Sequence, residues 1–214
     1  MSPESSSEPS QKERILLAAK ERFLRDGFAR VSVDDLVSEM SISKKTFYKS
    51  FGSKDDLLAQ IVERIIRELD FGFQAILSSN ESFVKKLDNV MLFVGRQIGR
   101  VVRPFMFDLQ RHAPHLWQRV LEFRRSRMAL NIQGLFQEGI RGGYVRSDIN
   151  TRVMFLAFIG TVETIMVPSL LANESFSGDE AIKSVLRIFF HGILTEDASR
   201  QLHDVQQNPS LSMS

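Results

Sequence analysis

The sequence predicts an all-α protein in which a small N-terminal unit of three helices precedes a larger helical domain. Apolar residues recur at helical spacing along most of the chain, and no segment shows the apolar–polar alternation of a strand. Proline, which interrupts helices, is sparse: of 6 prolines in 214 residues, only three lie between Lys12 and His203. Long helices joined by short turns follow from these observations.

Capping residues divide the N-terminal part of the chain into four helices. Gly27 ends the first helix, and Ser32 and Ser43 are N-caps, because a serine side chain accepts a free amide proton of the first helical turn. Only three residues separate the second helix from the third, which is the spacing of a helix-turn-helix. The predicted helices cover residues 11–26, 33–40, 44–51 and 54–78.

The later helices are longer, and glycine and asparagine mark their boundaries. They are predicted at about 81–101, 104–112, 115–141, 150–172 and 179–195. From Glu196 onward the chain becomes polar, which predicts a frayed tail.

The composition excludes several classes of protein. Because the chain has no cysteine, it has no disulfide scaffold, thiolate-bound metal or cysteine nucleophile. The longest apolar run, from Val153 to Ala172, contains Glu163 and is interrupted by Pro168, so we expect a buried helix of a cytoplasmic protein and not a membrane span. The chain also lacks a nucleophile elbow, a phosphate-binding glycine loop and an HExxH pattern, so we do not expect an enzyme.

Positive charge is concentrated around the helix-turn-helix. The net charge of the chain is only +2, yet residues 40–54 contain four lysines and no acidic residue. Lys44, Lys45 and Lys54 lie in the first turns of helices, where the helix dipole disfavours a cation unless an anion is bound. A DNA backbone supplies such an anion, whereas an ordinary solvated lysine face explains the charge but not the turn. The segment therefore favours DNA binding.

The same segment resembles the TetR (tetracycline repressor) family of transcriptional regulators. The resemblance covers about residues 11–60, and it implies an all-helical homodimer that binds a palindromic DNA operator, usually as a repressor released by a small molecule. It rests on the run SKKTFYKSFGSKDDLL at 43–58, on ILLAA at 15–19, on Phe23 and Gly27–Phe28, and on SVDDL at 32–36.

The resemblance also implies which residues meet the DNA. The third helix would be the recognition helix, with its first residues in the major groove. Further along it, Tyr48 and Lys49 would contact the DNA backbone or a base edge, and Lys54 would contact a phosphate; Phe47 and Phe51 form the buried side. The predicted DNA-binding residues are Ser32, Ser43, Lys44, Lys45, Thr46, Tyr48, Lys49 and Lys54.

Two positions depart from the family pattern. Met40–Ser41 stands where the family usually has a small residue and a glycine, which predicts a more tightly packed turn. Lys49–Ser50 replaces the commoner aromatic or histidine pair, so the base preference of the family does not transfer to this chain.

Most of the 17 phenylalanines and 8 methionines of the chain lie after residue 70. These side chains line an apolar ligand cavity or simply pack a core, and both interpretations stay open. Arg96 and Glu163 are candidates for holding the polar end of a ligand, because a buried polar group needs a partner. Glu163 pairing with an arginine across a dimer interface is an equal alternative. The predicted ligand-binding residues are Arg96, Phe105, Trp117, Met128, Phe155, Phe158 and Glu163.

A metal site and simple hydrogen bonding are the two interpretations of Asp108, His112 and His115. Their i, i+4, i+7 spacing suits one helix face, but Pro114 breaks the helix between the two histidines. We therefore predict no metal and no cofactor.

The last two long helices, at 153–171 and 181–194, carry wide apolar faces that predict a four-helix homodimer interface.

The predicted organisation is a disordered tail at 1–10, a helix-turn-helix DNA-binding domain at 11–56 with its turn and recognition helix at about 34–53, a ligand-binding and dimerisation domain at 57–196, and a polar tail at 197–214.

The predicted function is that of a homodimeric repressor that an apolar or amphipathic ligand releases from DNA. In this prediction the ligand favours a splayed arrangement of the fourth helices, which places the recognition helices at the wrong spacing. The alternative is a DNA-binding regulator whose C-terminal domain only dimerises or binds a partner, without a small-molecule effector.

Overall fold

The computed structural model describes residues 9–100, 103–165, 174–176 and 178–207. These residues form helices and turns with no strand among them, so the all-α prediction is confirmed. The helices are α1 (Gln11–Asp26), α2 (Val33–Glu39), α3 (Lys44–Ser50), α4 (Lys54–Leu77), α5 (Phe83–Arg100), α6 (Arg103–His112), α7 (Pro114–Phe123), α8 (Ala129–Arg141), α9 (Thr151–Ile165), α10 (Gly178–Ile193) and α11 (Glu196–Gln207).

The helices group into two compact units. Among the described residues, the N-terminal unit contains those up to 66 together with 103–120, and the C-terminal unit contains residues 67–100 and those from 121 to 207. This grouping differs from the domain boundary predicted at residue 57, because the first part of α4 and the whole of α6 pack with the N-terminal helices. Helix α4 is continuous and contributes residues to both units.

The N-terminal unit is built around the aromatic faces of its short helices. Phe23 of α1 and Phe47 of α3 are fully buried, and the Phe47 ring lies 5.9 Å from that of Phe51. Helix α6 packs against α1, where the Phe105 ring meets Phe28 edge-on at 6.2 Å. Leucine and isoleucine residues of α4 complete the core: Leu57, Leu58 and Ile61.

The C-terminal unit packs α5, α8, α9, α10 and α11 around one apolar core. Its largest fully buried side chains are those of Phe73, Leu87 and Phe136. The ammonium of Lys86, which is also buried, donates to the Glu138 carboxylate at 3.1 Å. This ion pair satisfies the charge of a lysine that the core would otherwise leave without water.

Two elements of this unit differ from the prediction. A turn of π-helix at Arg124–Met128 interrupts the helix predicted at 115–141. Residues 196–207 form a helix where the sequence predicts a polar tail, because Ala198 and Leu202 anchor it in the core with 1% and 0% exposure.

Some predicted segments lie outside the described residues. These are the end of the helix predicted at 150–172 and both extremes of the chain, at 1–8 and 208–214. Within the described ranges, no helix combines the length and the apolar character that crossing a membrane requires.

Candidate nucleic-acid interface

The turn between α2 and α3 has an unusual backbone conformation at Ser41. Its φ of 52° lies in the left-handed region, which costs a side chain with a Cβ roughly 1–2 kcal/mol. This is the position at which the sequence departs from the family's usual glycine. The Ile42 amide donates to the Val37 carbonyl at 3.0 Å, which closes the turn against the end of α2.

Helix α3 begins at an N-cap and separates its side chains into two faces. The Ser43 hydroxyl accepts the Thr46 amide at 3.1 Å, as an N-cap serine does. Phe47 is fully buried against the rest of the N-terminal unit, whereas Tyr48 is 53% exposed, so the predicted orientation of α3 is confirmed. Their rings meet edge-on at 5.3 Å, and the buried ring therefore supports the exposed one.

The exposed face of α3 is basic. The side chains of Lys44, Lys45 and Lys49 are exposed together with Tyr48, while Thr46 is half-buried. Lys44 donates to the Asp34 carboxylate at 2.7 Å, and this hydrogen bond raises the pKa of Lys44 above its ordinary value. An exposed pair of this kind is worth little in water, so a phosphate can replace Asp34 as the partner of Lys44 at small cost.

Ser32 forms a capping box at the start of α2. Its hydroxyl accepts the Asp35 amide at 3.1 Å, and the Asp35 carboxylate accepts the Ser32 amide at 2.7 Å. Hydrogen bonds from the Ser32 hydroxyl and then from its backbone lower the pKa of Asp35. Ser32 is exposed, so the predicted backbone contact is accessible, but its first role in this structure is to hold α2.

Lys54 differs from the other predicted DNA-binding lysines because it is half-buried. Its ammonium lies 5.9 Å from the centre of the Phe23 ring and 5.8 Å from that of Phe28. Burial lowers the pKa of Lys54, while the charges of Asp55 and Asp108 oppose that shift. Lys54 therefore stabilises the packing of the N-terminal unit in addition to any contact with DNA.

Asp108 ties α6 to the loop that follows α1. Its carboxylate, which is 9% exposed, accepts the Ala29 amide at 2.8 Å. The preceding Gly27 has a φ of 80°, and a Cβ at this residue would lie 2.6 Å from Asp108 Oδ2. The local sequence pattern does not predict this contact, since 79 residues separate its two partners. The sequence pattern predicts only that Gly27 ends a helix.

The same geometry bears on a metal site formed by Asp108 with His112 and His115. Asp108 is engaged with the Ala29 amide, and both histidines are exposed. Across the described ranges, no group of three or more histidine or carboxylate side chains is placed to hold a metal ion.

Comparison with known proteins identifies the helix-turn-helix. Residues 15–61 match the model of the bacterial regulatory proteins of the tetR family. Residues 15–61 are therefore a helix-turn-helix of the TetR family of transcriptional regulators. The matched residues run from the first buried isoleucine of α1 into α4, and they include the whole of the basic face of α3.

Known regulators are similar to this chain in sequence, and solved structures are similar to it in fold. The HTH-type transcriptional regulator YvaF of Bacillus subtilis is 21% identical over 86% of this chain and 97% of its own length. The regulator EthR of Mycolicibacterium smegmatis is 38% identical over 69 residues, which is 32% of either chain. The crystal structure of a transcriptional regulator from Cytophaga hutchinsonii has the same fold, with a TM-score of 0.68 and 18% identity over 86% of this chain and 98% of the other.

The C-terminal unit contains an apolar cavity of about 20 Å³. That volume holds little more than one water molecule, since a water needs about 10–15 Å³ of such space. Three of the predicted ligand-binding residues, Met128, Phe155 and Phe158, line this cavity.

The other predicted ligand-binding residues lie elsewhere. Phe105 is buried within the N-terminal unit and packs against Phe28 there, and Trp117 belongs to that unit too. Arg96 is exposed on α5. Glu163 is on α9 in the C-terminal unit, and its Oε1 is buried with no hydrogen-bond partner among the described residues. Four of the seven predicted residues are thus associated with the C-terminal core.

Proposed function

We propose that this chain is a cytoplasmic, homodimeric transcriptional repressor that binds a palindromic DNA operator and releases it when a small apolar or amphipathic ligand binds the C-terminal unit. The observation that carries the DNA-binding part is the exposed basic face of α3. Lys44, Lys45 and Lys49 extend to solvent beside Tyr48, and Phe47 fixes the helix from beneath.

The proposed contacts follow from what each side chain can offer to DNA. Lys45 and Lys49 are flexible cations that suit phosphates, and Lys44 joins them by exchanging Asp34 for a phosphate. Tyr48 offers a hydroxyl and a ring at the groove. Ser43 and Thr46 already share a hydrogen bond at 2.9 Å, so they contact DNA from a fixed geometry. Ser32 and Lys54 complete the proposed set at the edges of this face.

The proposed dimer interface is formed by α9 and α10, which pack against each other. Their outer faces leave large apolar side chains in water: Val153 is 61% exposed, Leu156 is 51% exposed and Ile188 is 70% exposed. Exposed apolar residues on adjacent helices favour association with a second copy. A dimer also presents two recognition helices to the two halves of a palindrome.

The dimer proposal is tested by sedimentation of I188E. The variant is expected to be a monomer and to lose most of its operator affinity, because each half-site then binds alone. Leu130 on α8 is 65% exposed outside these two helices, so L130E is the matched control and is expected to remain a dimer. A dimeric I188E would place the interface elsewhere.

The effector part of the proposal is supported by the apolar cavity in the C-terminal unit and by the three predicted residues that line it. The small volume of that cavity favours a second candidate, in which the C-terminal unit only dimerises or binds a partner. The two candidates differ in whether any small molecule changes the operator affinity of the purified protein.

The first experiment selects bound duplexes from a random DNA pool at two salt concentrations. A palindrome with fixed half-site spacing is the expected result, and the selected site then becomes the probe for variants. K45A is expected to weaken binding to every sequence and to lower the salt slope by about one unit per lost phosphate contact in each half-site.

R141A is the matched control, since it removes one exposed positive charge from the C-terminal unit. Its salt slope is expected to equal that of the unmodified protein. If no duplex is enriched at either salt concentration, the basic face of α3 is only a solvated surface and does not bind DNA. Equal slopes for K45A and the unmodified protein would remove Lys45 from the phosphate contacts.

A further inference from the structure

A carboxylate from α2 lies at the start of the basic face of α3. Asp34 Oδ1 is 2.7 Å from Lys44 Nζ, and the two side chains are 66% and 60% exposed. Helix α3 contains no acidic residue of its own, so this negative charge enters the basic face from the neighbouring helix. Any DNA that reaches Lys44 therefore also meets Asp34.

The fold gains little from the carboxylate of Asp34. The capping box of α2 is formed by Ser32 and Asp35, whose carboxylate accepts the Ser32 amide and the Ser32 hydroxyl, each at 2.7 Å. Lys44 is the only partner of Asp34 among the residues that the structure describes. An exposed pair of this kind contributes little to stability. A carboxylate that the N-terminal unit can do without, on a surface that is otherwise basic, indicates a role in recognition.

DNA binding changes the surroundings of this carboxylate. In the free protein water solvates it, whereas in a complex the DNA covers it and brings phosphates close to it. When Lys44 exchanges Asp34 for a phosphate, as proposed above, the carboxylate loses its partner in the same step. A covered carboxylate without a hydrogen-bond donor is costly. The exchange is therefore favourable only where the DNA itself supplies a donor to Asp34.

The base edges of the major groove offer few donors. In a helix-turn-helix, the first helix crosses the DNA backbone and the first residues of the second helix contact base edges in this groove. Guanine presents only acceptors there and thymine an acceptor and a methyl group, so the donors are the amino groups of cytosine and adenine. The adenine amino group lies next to the acceptor N7, which repels the second carboxylate oxygen, whereas cytosine has C5–H at this place. Cytosine is therefore the base that suits a carboxylate.

We propose that Asp34 determines base specificity, because its carboxylate accepts a hydrogen bond from the N4 amino group of a cytosine in each half-site of the operator. At other sequences Asp34 retains Lys44 and repels phosphates, so the same residue weakens non-specific binding. This inference rests on the proposed function, since it assumes that the exposed face of α3 binds DNA in the major groove.

The test repeats the selection from a random DNA pool with the unmodified full-length protein, D34A and D34N. The unmodified protein is expected to select a cytosine at one position of each half-site. D34A is expected to lose the preference at that position alone and to bind an unrelated duplex several-fold more tightly, because the negative charge is absent. D34N, which keeps the size of the side chain, is expected to prefer adenine there, since an amide accepts from N6 and donates to N7.

A chemical cycle isolates the single hydrogen bond. In the selected operator, the cytosine is replaced by 2-pyrimidinone, a base that lacks the N4 amino group. This replacement is expected to weaken binding of the unmodified protein about tenfold more than binding of D34A, which is the size of a typical loss at one mismatched base pair. E21Q is the matched control, because it removes an exposed carboxylate from α1 of the same unit. E21Q is expected to keep the cytosine preference and the tenfold effect.

The failure of this inference and the failure of the proposed function are distinguishable. If the unmodified protein enriches no duplex, DNA binding falls and the role of Asp34 falls with it. If the unmodified protein enriches a palindrome and D34A selects the same bases, the DNA-binding function stands and the base contact is overturned. Equal tightening of every sequence by D34A would also overturn the base contact, because Asp34 would then act only as a competitor for Lys44.

Discussion

Replacing Gly27 by alanine tests how the loop after α1 is held in place. The φ of 80° and ψ of 146° at Gly27 belong to a region that residues with a Cβ rarely occupy, at a cost of roughly 1–3 kcal/mol. The new Cβ would lie 2.6 Å from Asp108 Oδ2, so the carboxylate has to move away from the Ala29 amide. A hydrogen bond to a charged acceptor contributes about 1.5–3 kcal/mol. We therefore expect G27A to lower the free energy of unfolding by roughly 2.5–6 kcal/mol.

A double-mutant cycle with D108A separates the two contributions. D108A alone loses the hydrogen bond to the Ala29 amide, at about 1.5–3 kcal/mol. In G27A/D108A the backbone strain remains, but the carboxylate that the new Cβ displaces is already absent. The double variant is therefore expected to be about as stable as G27A alone, and the coupling energy is expected to be about 1.5–3 kcal/mol.

The assay is urea unfolding at one fixed protein concentration, together with hydrogen exchange of the Ala29 amide. Both G27A and D108A are expected to remove the protection of that amide. Gly143 supplies the control: its φ is 73°, but a Cβ there would meet no atom within 4 Å. G143A is therefore expected to show backbone strain without coupling to Asp108. Additive effects of G27A and D108A, or a protected Ala29 amide in D108A, would refute the reasoning.

The remaining predictions concern the helix-turn-helix. F47A is expected to lower the free energy of unfolding by about 3–5 kcal/mol, because it empties a fully buried site. Y48A is expected to change the free energy of unfolding by less than about 0.5 kcal/mol and to weaken operator binding. Equal losses of stability in the two variants would contradict the orientation of α3. S41G is expected to raise the free energy of unfolding by about 0.5 kcal/mol, because glycine relieves the backbone strain at this position but loses more conformational entropy on folding. S41A is the control, since alanine keeps the backbone strain. In a carboxyl NMR titration, the pKa of Asp35 is expected to lie below its ordinary value of 3.8. The contribution of Asp35 to stability is therefore present above pH 3.8, and it is lost as the pH falls through the lower pKa of the folded protein. S32A is expected to return the pKa of Asp35 toward 3.8. An unchanged pKa in S32A would show that the capping box does not cause the shift.

Features that depend on neighbouring residues could be predicted from the sequence. The caps at Ser32 and Ser43 act within three residues of themselves, and the predicted starts of α2 and α3 agree with the structure. The alternation of Phe47 and Tyr48 between the two sides of α3 follows from helical periodicity alone. The family resemblance adds the assignment of that exposed side to DNA.

Features that depend on distant residues could not be predicted in this way. Asp108 meets Ala29 across 79 residues, and nothing in the local pattern distinguishes this carboxylate from a metal ligand or a surface charge. The helix at 196–207 is polar overall, and only the burial of Ala198 and Leu202 in the C-terminal core makes it stable. In both cases, tertiary packing overrides what composition indicates.

Lys54 and Glu163 show how burial changes the meaning of a charged residue. The sequence predicts a phosphate contact for Lys54, because a cation in the first turn of a helix opposes the helix dipole. In the structure Lys54 lies over two phenylalanine rings with carboxylates nearby, and these neighbours explain the lysine without DNA. Glu163 is the opposite case, because its surroundings do not satisfy its buried oxygen. The Oε1 atom of Glu163 is buried and has no hydrogen-bond partner among the described residues. A charge that the fold satisfies is explained by stability, whereas a buried acceptor without a partner lowers the stability of the fold.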